Sequence, residues 1–181
     1  MGRDKALIEL GGRTLLERTV DVLGELTSEV LLACGDRERY PQLPLRRALD
    51  REPGRGPLEG LAAALETAST PWILIAACDL PHLEPADLAP LLGAAGEADV
   101  VLPMDRERRQ PLVALYSRRV QPAVEAALSA GRRRMVDFWD EVLPSGEPVR
   151  VHHVRHDGDE RSFWNVNTPA DLARASERTG A

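Results

Sequence analysis

Two residues have the chemical character to act on a charged substrate, Lys5 and Asp79. Lys5 is the single lysine of a 181-residue chain that carries 22 arginines. An ammonium is a compact point charge with rotating donors, able to follow charge that moves between phosphate oxygens, whereas guanidinium is a planar fork of fixed geometry. Phosphoryl and nucleotidyl transfer use such a charge to stabilise the transition state. An ordinary surface lysine is the competing reading. Asp79 directly follows the apolar run WILIAAC, and Pro81 stiffens the exit from it. A carboxylate at the carboxyl end of what should be a central strand can hold Mg2+, a hard cation that takes oxygen ligands and is usually shared with substrate phosphates. The same Asp could instead cap the following turn, and the residue alone does not choose between these.

The scarcity of Lys extends to Asn, of which only Asn165 and Asn167 occur. Where a residue type has been replaced almost everywhere, a surviving copy marks a place where replacement fails, or survives by chance. The formal charge of −6 argues against a nucleic-acid surface, since such surfaces are basic overall. Arg106, Arg108 and Arg109, and the run at 132–134, are local exceptions that suit small anions or phosphates, or are solvated loops. Cys34 and Cys78 each end an apolar run, where a small thiol packs well, and two cysteines make neither a disulfide framework nor a zinc site. No apolar run approaches the roughly 20 residues needed to span a bilayer, and the start lacks the pattern of a signal peptide, so neither membrane nor export is expected and the cytoplasm is.

These residues need elements to hold them. Residues 14–26 place Leu16, Val20 and Leu23 on one helical face, and Thr14 with Glu17 fits a capping box. The run 30–34 suits a buried strand, a polar stretch 35–57 reads as a loop with a short strand around 45–49, and 58–68 reads as a helix. Strand 72–77, helix 85–95, strands 99–103 and 111–116, and helix 118–130 continue the alternation. A short helix near 135–142, a strand 149–154 and a helix 169–178 follow, the last capped by Thr168 with Pro169 at its first position. Strands alternating with helices, several apolar on both faces, predict an α/β fold with a mostly parallel sheet, its ligands at the carboxyl ends of strands. Length and the absence of a linker predict one domain over 1–181.

MGRDK, LxGRTLLERT, RGPLEGL, ACDLP, QPLVALY and WNVNTPADL run in this order along nearly the whole chain. Together they resemble the molybdenum cofactor guanylyltransferases. That resemblance implies a three-layer Rossmann-like nucleotidyltransferase fold, Mg2+ as cofactor, and transfer of GMP from GTP to the terminal phosphate of molybdopterin with release of pyrophosphate. Molybdoenzymes or their chaperones are further implied partners. By position, Lys5 matches the lysine of the family's RMGxDK and would contact the nucleotide phosphates. Asp79 matches the aspartate of CDxP, a ligand of both nucleotide and Mg2+. Asp50 matches a nucleotide-contacting aspartate ahead of GPLxG. Asn165 and Asn167 fall in the NVNTP element, with a role in binding the pterin or the metal, and Gln110 falls on the side that would receive the pterin. Gly54, Gly56 and Gly60 either let backbone approach base or ribose, or serve turns and packing.

Members of that family begin with a strand and a LAGGxSxRMG loop whose backbone N–H groups cradle the triphosphate. Here Met1 and Gly2 match only the end of that loop. Either the start is an internal methionine of a longer protein, or the sheet lacks a strand and its neighbours carry unpaired backbone groups, with weak GTP binding. Three alternatives accompany the guanylyl reading: the same chemistry with CTP, a sugar phosphate as acceptor, or a non-catalytic relative that holds the cofactor without turnover.

Overall fold

A computed structural model describes residues 4–52 and 54–176. Met1 and Gly2, and the expected end of the last helix at 177–178, lie outside the described residues.

Asp4 opens the described chain by capping a single 3-10 turn, Lys5–Leu7, its Oδ1 accepting from the Ala6 N–H at 3.1 Å. A hairpin follows, β1 (Glu9–Leu10) and β2 (Arg13–Thr14). Its two-residue turn, Gly11 and Gly12, has φ of 63° and 78°, the left-handed pair that a tight antiparallel turn demands. Thr14 then caps α1 (Leu15–Leu26): the Glu17 N–H donates to Thr14 Oγ1 at 3.2 Å and the Thr14 N–H to Glu17 Oε2 at 2.8 Å. Such a cap is worth about 1 kcal/mol and fixes where the helix starts.

The next strands are β3 (Leu31–Ala33) and β4 (Arg46–Ala48), paired parallel. Then come α2 (Pro57–Thr67), β5 (Trp72–Ala76), α3 (Pro85–Gly93), β6 (Val100–Asp105), β7 (Arg108–Arg109), β8 (Val113–Ser117), α4 (Gln121–Ser129), β9 (Val151–Arg155) and α5 (Pro169–Ser176). Side-chain alternation along the strands sorts the core into two layers. Val100, Leu102, Ala114 and Tyr116 face α2 and α4, packing on Leu58, Leu61 and Val124. Val101, Val113 and Leu115 face the other way, onto Leu88 and Leu91 of α3 and the Val22–Leu23 stretch of α1. Helices thus cover both faces, giving the expected three layers.

The sheet is mixed rather than mostly parallel. Strand β8 runs antiparallel to both β5 and β6, β7 is antiparallel to β6, and only β9 pairs with β6 in parallel. The cause is local. The segment 106–112 between β6 and β8 holds only the short β7 and no helix, so the chain has no crossover and must return antiparallel. The helix expected at 135–142 is likewise absent, replaced by successive tight turns with bonds such as Trp139 N–H to Val136 C=O at 3.2 Å. Asp137 explains it: its Oδ2 accepts the N–H groups of Arg133 and Arg134 at 3.0 and 2.8 Å, drawing the backbone into a side-chain-bonded turn. Phe138 still reaches the core.

Strand β5 is at the sheet edge, not its centre. Among the described residues it pairs only with β8, and β3 pairs only with β4. The free edges border one cavity of about 750 Å³, lined by Leu31 to Ala33 on one side and Trp72 to Ala76 on the other, with Leu16 and Val20 of α1 in its wall. All five residues of β5 are consequently half-buried.

Candidate active site

Lys5, Asp50 and Asp79 meet at this cavity. Asp50 follows β4 and Asp79 follows β5, so both carboxylates leave the carboxyl ends of strands. Lys5 arrives from the capped 3-10 turn. Tyr40 fixes that turn from outside: its hydroxyl donates to Asp4 Oδ2 at 2.9 Å, and its own backbone is left-handed at φ 58°. Burial, and then the Asp4 carboxylate, push the Tyr40 hydroxyl up to about 12, so it stays a proton donor at neutral pH. Asp4 lies in the MGRDK motif, but its contact with Tyr40 does not stand out in the sequence, because it joins residues 36 apart.

Asp50 is held by its backbone, N–H to the Gly35 C=O at 2.8 Å, while its covered Oδ1 has no hydrogen-bond partner among the described residues. Burial, then Glu59 and Asp36, raise its pKa above the usual carboxylate value. Glu59 is itself buried and accepts the Arg51 and Glu52 N–H groups at 3.1 and 3.3 Å, fixing the loop beyond Asp50. The neighbouring carboxylates of Glu59 and Asp36 thus add to the negative charge around Asp50. No group of three or more His, Cys, Asp or Glu side chains among the described residues could hold a metal by itself. Cys78, beside Asp79, is pushed up to about 11 by burial first and by that carboxylate second, and both cysteines are free thiols. Of the glycines, Gly56 has a structural duty: φ is 78°, and a Cβ there would lie 3.1 Å from the Arg133 carbonyl oxygen. At Gly60 a Cβ would make only ordinary contact, 3.9 Å from Asp50 Oδ1.

Gln110, Asn165 and Asn167 line a different cavity, of about 690 Å³, together with Arg108, Arg109 and Trp164. Two contacts join it to the first. The Val166 N–H donates to the Asp79 carbonyl at 2.9 Å, and Lys5 Nζ donates to Asn167 Oδ1 at 2.5 Å. The six candidate residues thus divide into two triads on either side of one lysine–asparagine bond.

The fold is that of nucleotidyltransferases. The crystal structure of molybdopterin-guanine dinucleotide biosynthesis protein A from Archaeoglobus fulgidus superposes with a TM-score of 0.77 at 24% identity, covering 97% of this chain and 90% of that one. That of 2-C-methyl-D-erythritol 4-phosphate cytidylyltransferase from Thermus thermophilus gives 0.72 at 23%, covering 98% and 94%. Residues 1–143 match the family described as MobA-like NTP transferase domain, and the chain belongs to that family. It is 35% identical over 191 residues to a probable molybdenum cofactor guanylyltransferase of Pelotomaculum thermopropionicum, spanning 99% of this chain and 90% of the relative. The molybdenum cofactor guanylyltransferase of Shewanella baltica is 33% identical over 181 residues, spanning 96% and 87%. No helix among the described residues is long and apolar enough to cross a membrane.

Proposed function

We propose that this chain transfers GMP from GTP to molybdopterin, forming molybdopterin guanine dinucleotide and pyrophosphate. The observation that carries the reading is the bond from Lys5 to Asn167, which puts one ammonium at the boundary of two cavities. A nucleotidyl transfer needs such a boundary, because two anionic substrates must meet there. The carboxylate-lined cavity takes the nucleotide, and the arginine-lined cavity takes the acceptor.

Asp79 would hold Mg2+ in company with triphosphate oxygens and water, and Asp50 lines the same cavity. Magnesium is suited to one or two protein carboxylates plus substrate phosphates, and the unpartnered Asp50 oxygen fits a hard cation. The bound ion supplies neutralisation of the triphosphate and of the departing pyrophosphate. Asn167 occupies one of the three ammonium donors of Lys5, fixing its direction and leaving two for phosphate oxygens. An oxygen of the acceptor phosphate then bonds to the α-phosphorus of GTP, the bond from that phosphorus to the bridging oxygen breaks, and pyrophosphate leaves. Charge neutralisation and positioning do most of the catalytic work in such transfers.

The test is turnover with molybdopterin and either GTP or CTP, read as released pyrophosphate. Release with GTP well above that with CTP is the expected result. Equal release, or release with CTP alone, overturns the guanylyl reading.

A further inference from the structure

The loop 35–45 between β3 and β4 is held more tightly than a connection between two strands requires. Arg47 of β4 donates through Nε to the Arg39 carbonyl at 3.1 Å, and through Nη2 to the Tyr40 and Leu43 carbonyls at 2.8 and 2.9 Å. The chain from 39 to 43 is thus wrapped round one guanidinium, whose donors lie in a fixed planar fork. Inside that wrap, Tyr40 has a φ of 58° directly ahead of Pro41. A bulky residue is disfavoured in the left-handed region, and a residue before proline is driven toward extended backbone, so both rules are broken at one position. Such backbone persists only where its surroundings over-determine it, and outliers of this kind cluster at functional sites.

The wrapped loop sets the direction of the Tyr40 side chain. Tyr40 packs with Leu43 and Leu45 against Ala6, Leu16 and Leu32, and its hydroxyl ends on Asp4 Oδ2. Asp4 uses its other oxygen to cap the turn that begins at Lys5. Arg39 stands 3.7 Å from Asp4 Oδ2, beyond hydrogen-bond reach, so the phenol is the directed contact. Asp50 follows just beyond the end of β4, the strand that carries Arg47. Lys5 and Asp50 therefore hang from the same arginine, Asp50 through the strand and Lys5 through the loop, Tyr40 and Asp4.

We propose that Tyr40 is a positioning residue for the transfer, its hydroxyl setting the Lys5 ammonium in register with Asp50 across the cavity that all three line. The proposal rests on the nucleotidyl reading above and adds a residue that acts through Asp4 and Lys5 rather than by touching phosphate. A misplacement of about 1 Å at a reacting centre can cost roughly 100-fold in rate. Loss of this one brace, with the Asn167 bond to Lys5 still in place, should cost less.

The experiment compares Tyr40→Phe with the wild-type chain. Turnover of GTP with molybdopterin is read beside a thermal melt and the NMR signal of Lys5. Lysine carrying 13C at Cε isolates that signal, because the chain has no other lysine. The expected result is a kcat lowered about tenfold, a KM for GTP within about twofold of wild type, and a shifted Lys5 signal in the substrate-free protein. Asp4→Ser keeps an oxygen for the cap but is too short to reach Tyr40, and it is expected to match Tyr40→Phe. In a Lys5→Arg background, Tyr40→Phe is expected to lower the residual turnover by less than about twofold, since the group it positions is gone. A kcat near wild type in both variants, an unmoved Lys5 signal, a raised KM for GTP in place of the fall in kcat, or a full tenfold loss on top of Lys5→Arg each overturns the proposal. A wild-type chain that releases no pyrophosphate from GTP contradicts the guanylyl reading separately, since the Lys5 signal is read without substrate.

Discussion

Lys5 and Asn167 are 162 residues apart and share a hydrogen bond, Nζ to Oδ1, at 2.5 Å. One is the only lysine of the chain and the other is one of two asparagines, so residue types that are rare throughout the sequence come together at one point. The bond aligns the ammonium between the two cavities, and the predictions below follow from that placement.

Lys5→Arg is expected to lower turnover by about 100-fold or more, the scale seen when one positioned donor to a transition state is lost. The fold should survive, because Lys5 packs little and its turn is capped by Asp4. Steady-state kinetics beside a thermal melt checks both halves. Turnover near wild type in the arginine variant contradicts the role.

Asp50→Asn is expected to weaken GTP binding and yet to stabilise the free protein by about 2 °C in thermal midpoint, the scale of a sub-kcal/mol gain in a domain of this size. Its covered oxygen has no hydrogen-bond partner among the described residues, and its pKa is raised by burial and by neighbouring carboxylates. A carboxyl whose folded pKa lies above its unfolded value contributes stability at low pH and loses it as pH rises through the folded pKa. Wild type therefore carries a penalty at neutral pH that Asn does not. The gain should shrink toward zero in melts taken at pH near 4, and a gain that grows on acidification contradicts the assignment.

Asp79→Asn is expected to cost about tenfold in GTP affinity with Mg2+ present, and little with the metal chelated, since the carboxylate proposed to hold the ion is lost. Calorimetric titration with and without chelator distinguishes the two. Unchanged metal dependence contradicts it.

Asp87 has two structural tasks. Its Oδ2 accepts the Glu84 N–H at 2.9 Å at the start of α3, and its Oδ1 lies 2.8 Å from His156 Nε2 in a pair that is over nine-tenths buried on both sides. Asp87→Ala is expected to cost about 3 kcal/mol in urea unfolding, the range for breaking a buried pair and a cap together. His156→Ala, which keeps the cap, should cost less. Equal losses would show that the cap contributes nothing.

Much of this arrangement can be read from the chain, and the limits are physical. The capping box of Thr14 and Glu17 is a local signal, and α1 starts where it says. The apolar run at 72–77 does form a strand, but periodicity cannot say which of its edges is paired, and β5 proved to be half-open. Tyr116, whose strand follows β6 without a helix between, is antiparallel for a reason visible only in connection length. The Gly11–Gly12 pair is a turn signal in its own right, and the hairpin it closes is an element that the expected alternation of strands and helices does not include. Met135 to Val142 has helical spacing that Asp137 overrides by bonding the backbone itself. At the site, residue type and motif order single out Lys5, Asp50 and Asp79. The bond from Lys5 to Asn167, the Tyr40 brace on Asp4 and the Arg174 guanidinium over the Trp164 ring are tertiary contacts, and no spacing rule encodes them.

The most direct test of the central claim follows the phosphorus. With GTP labelled at the α-phosphate, Mg2+ and molybdopterin, the account predicts that label appears in a dinucleotide together with one unlabelled pyrophosphate per transfer, and that Lys5→Arg and Asn167→Ala both depress its appearance. Label recovered only as GTP or free GMP, or full transfer in both variants, contradicts it.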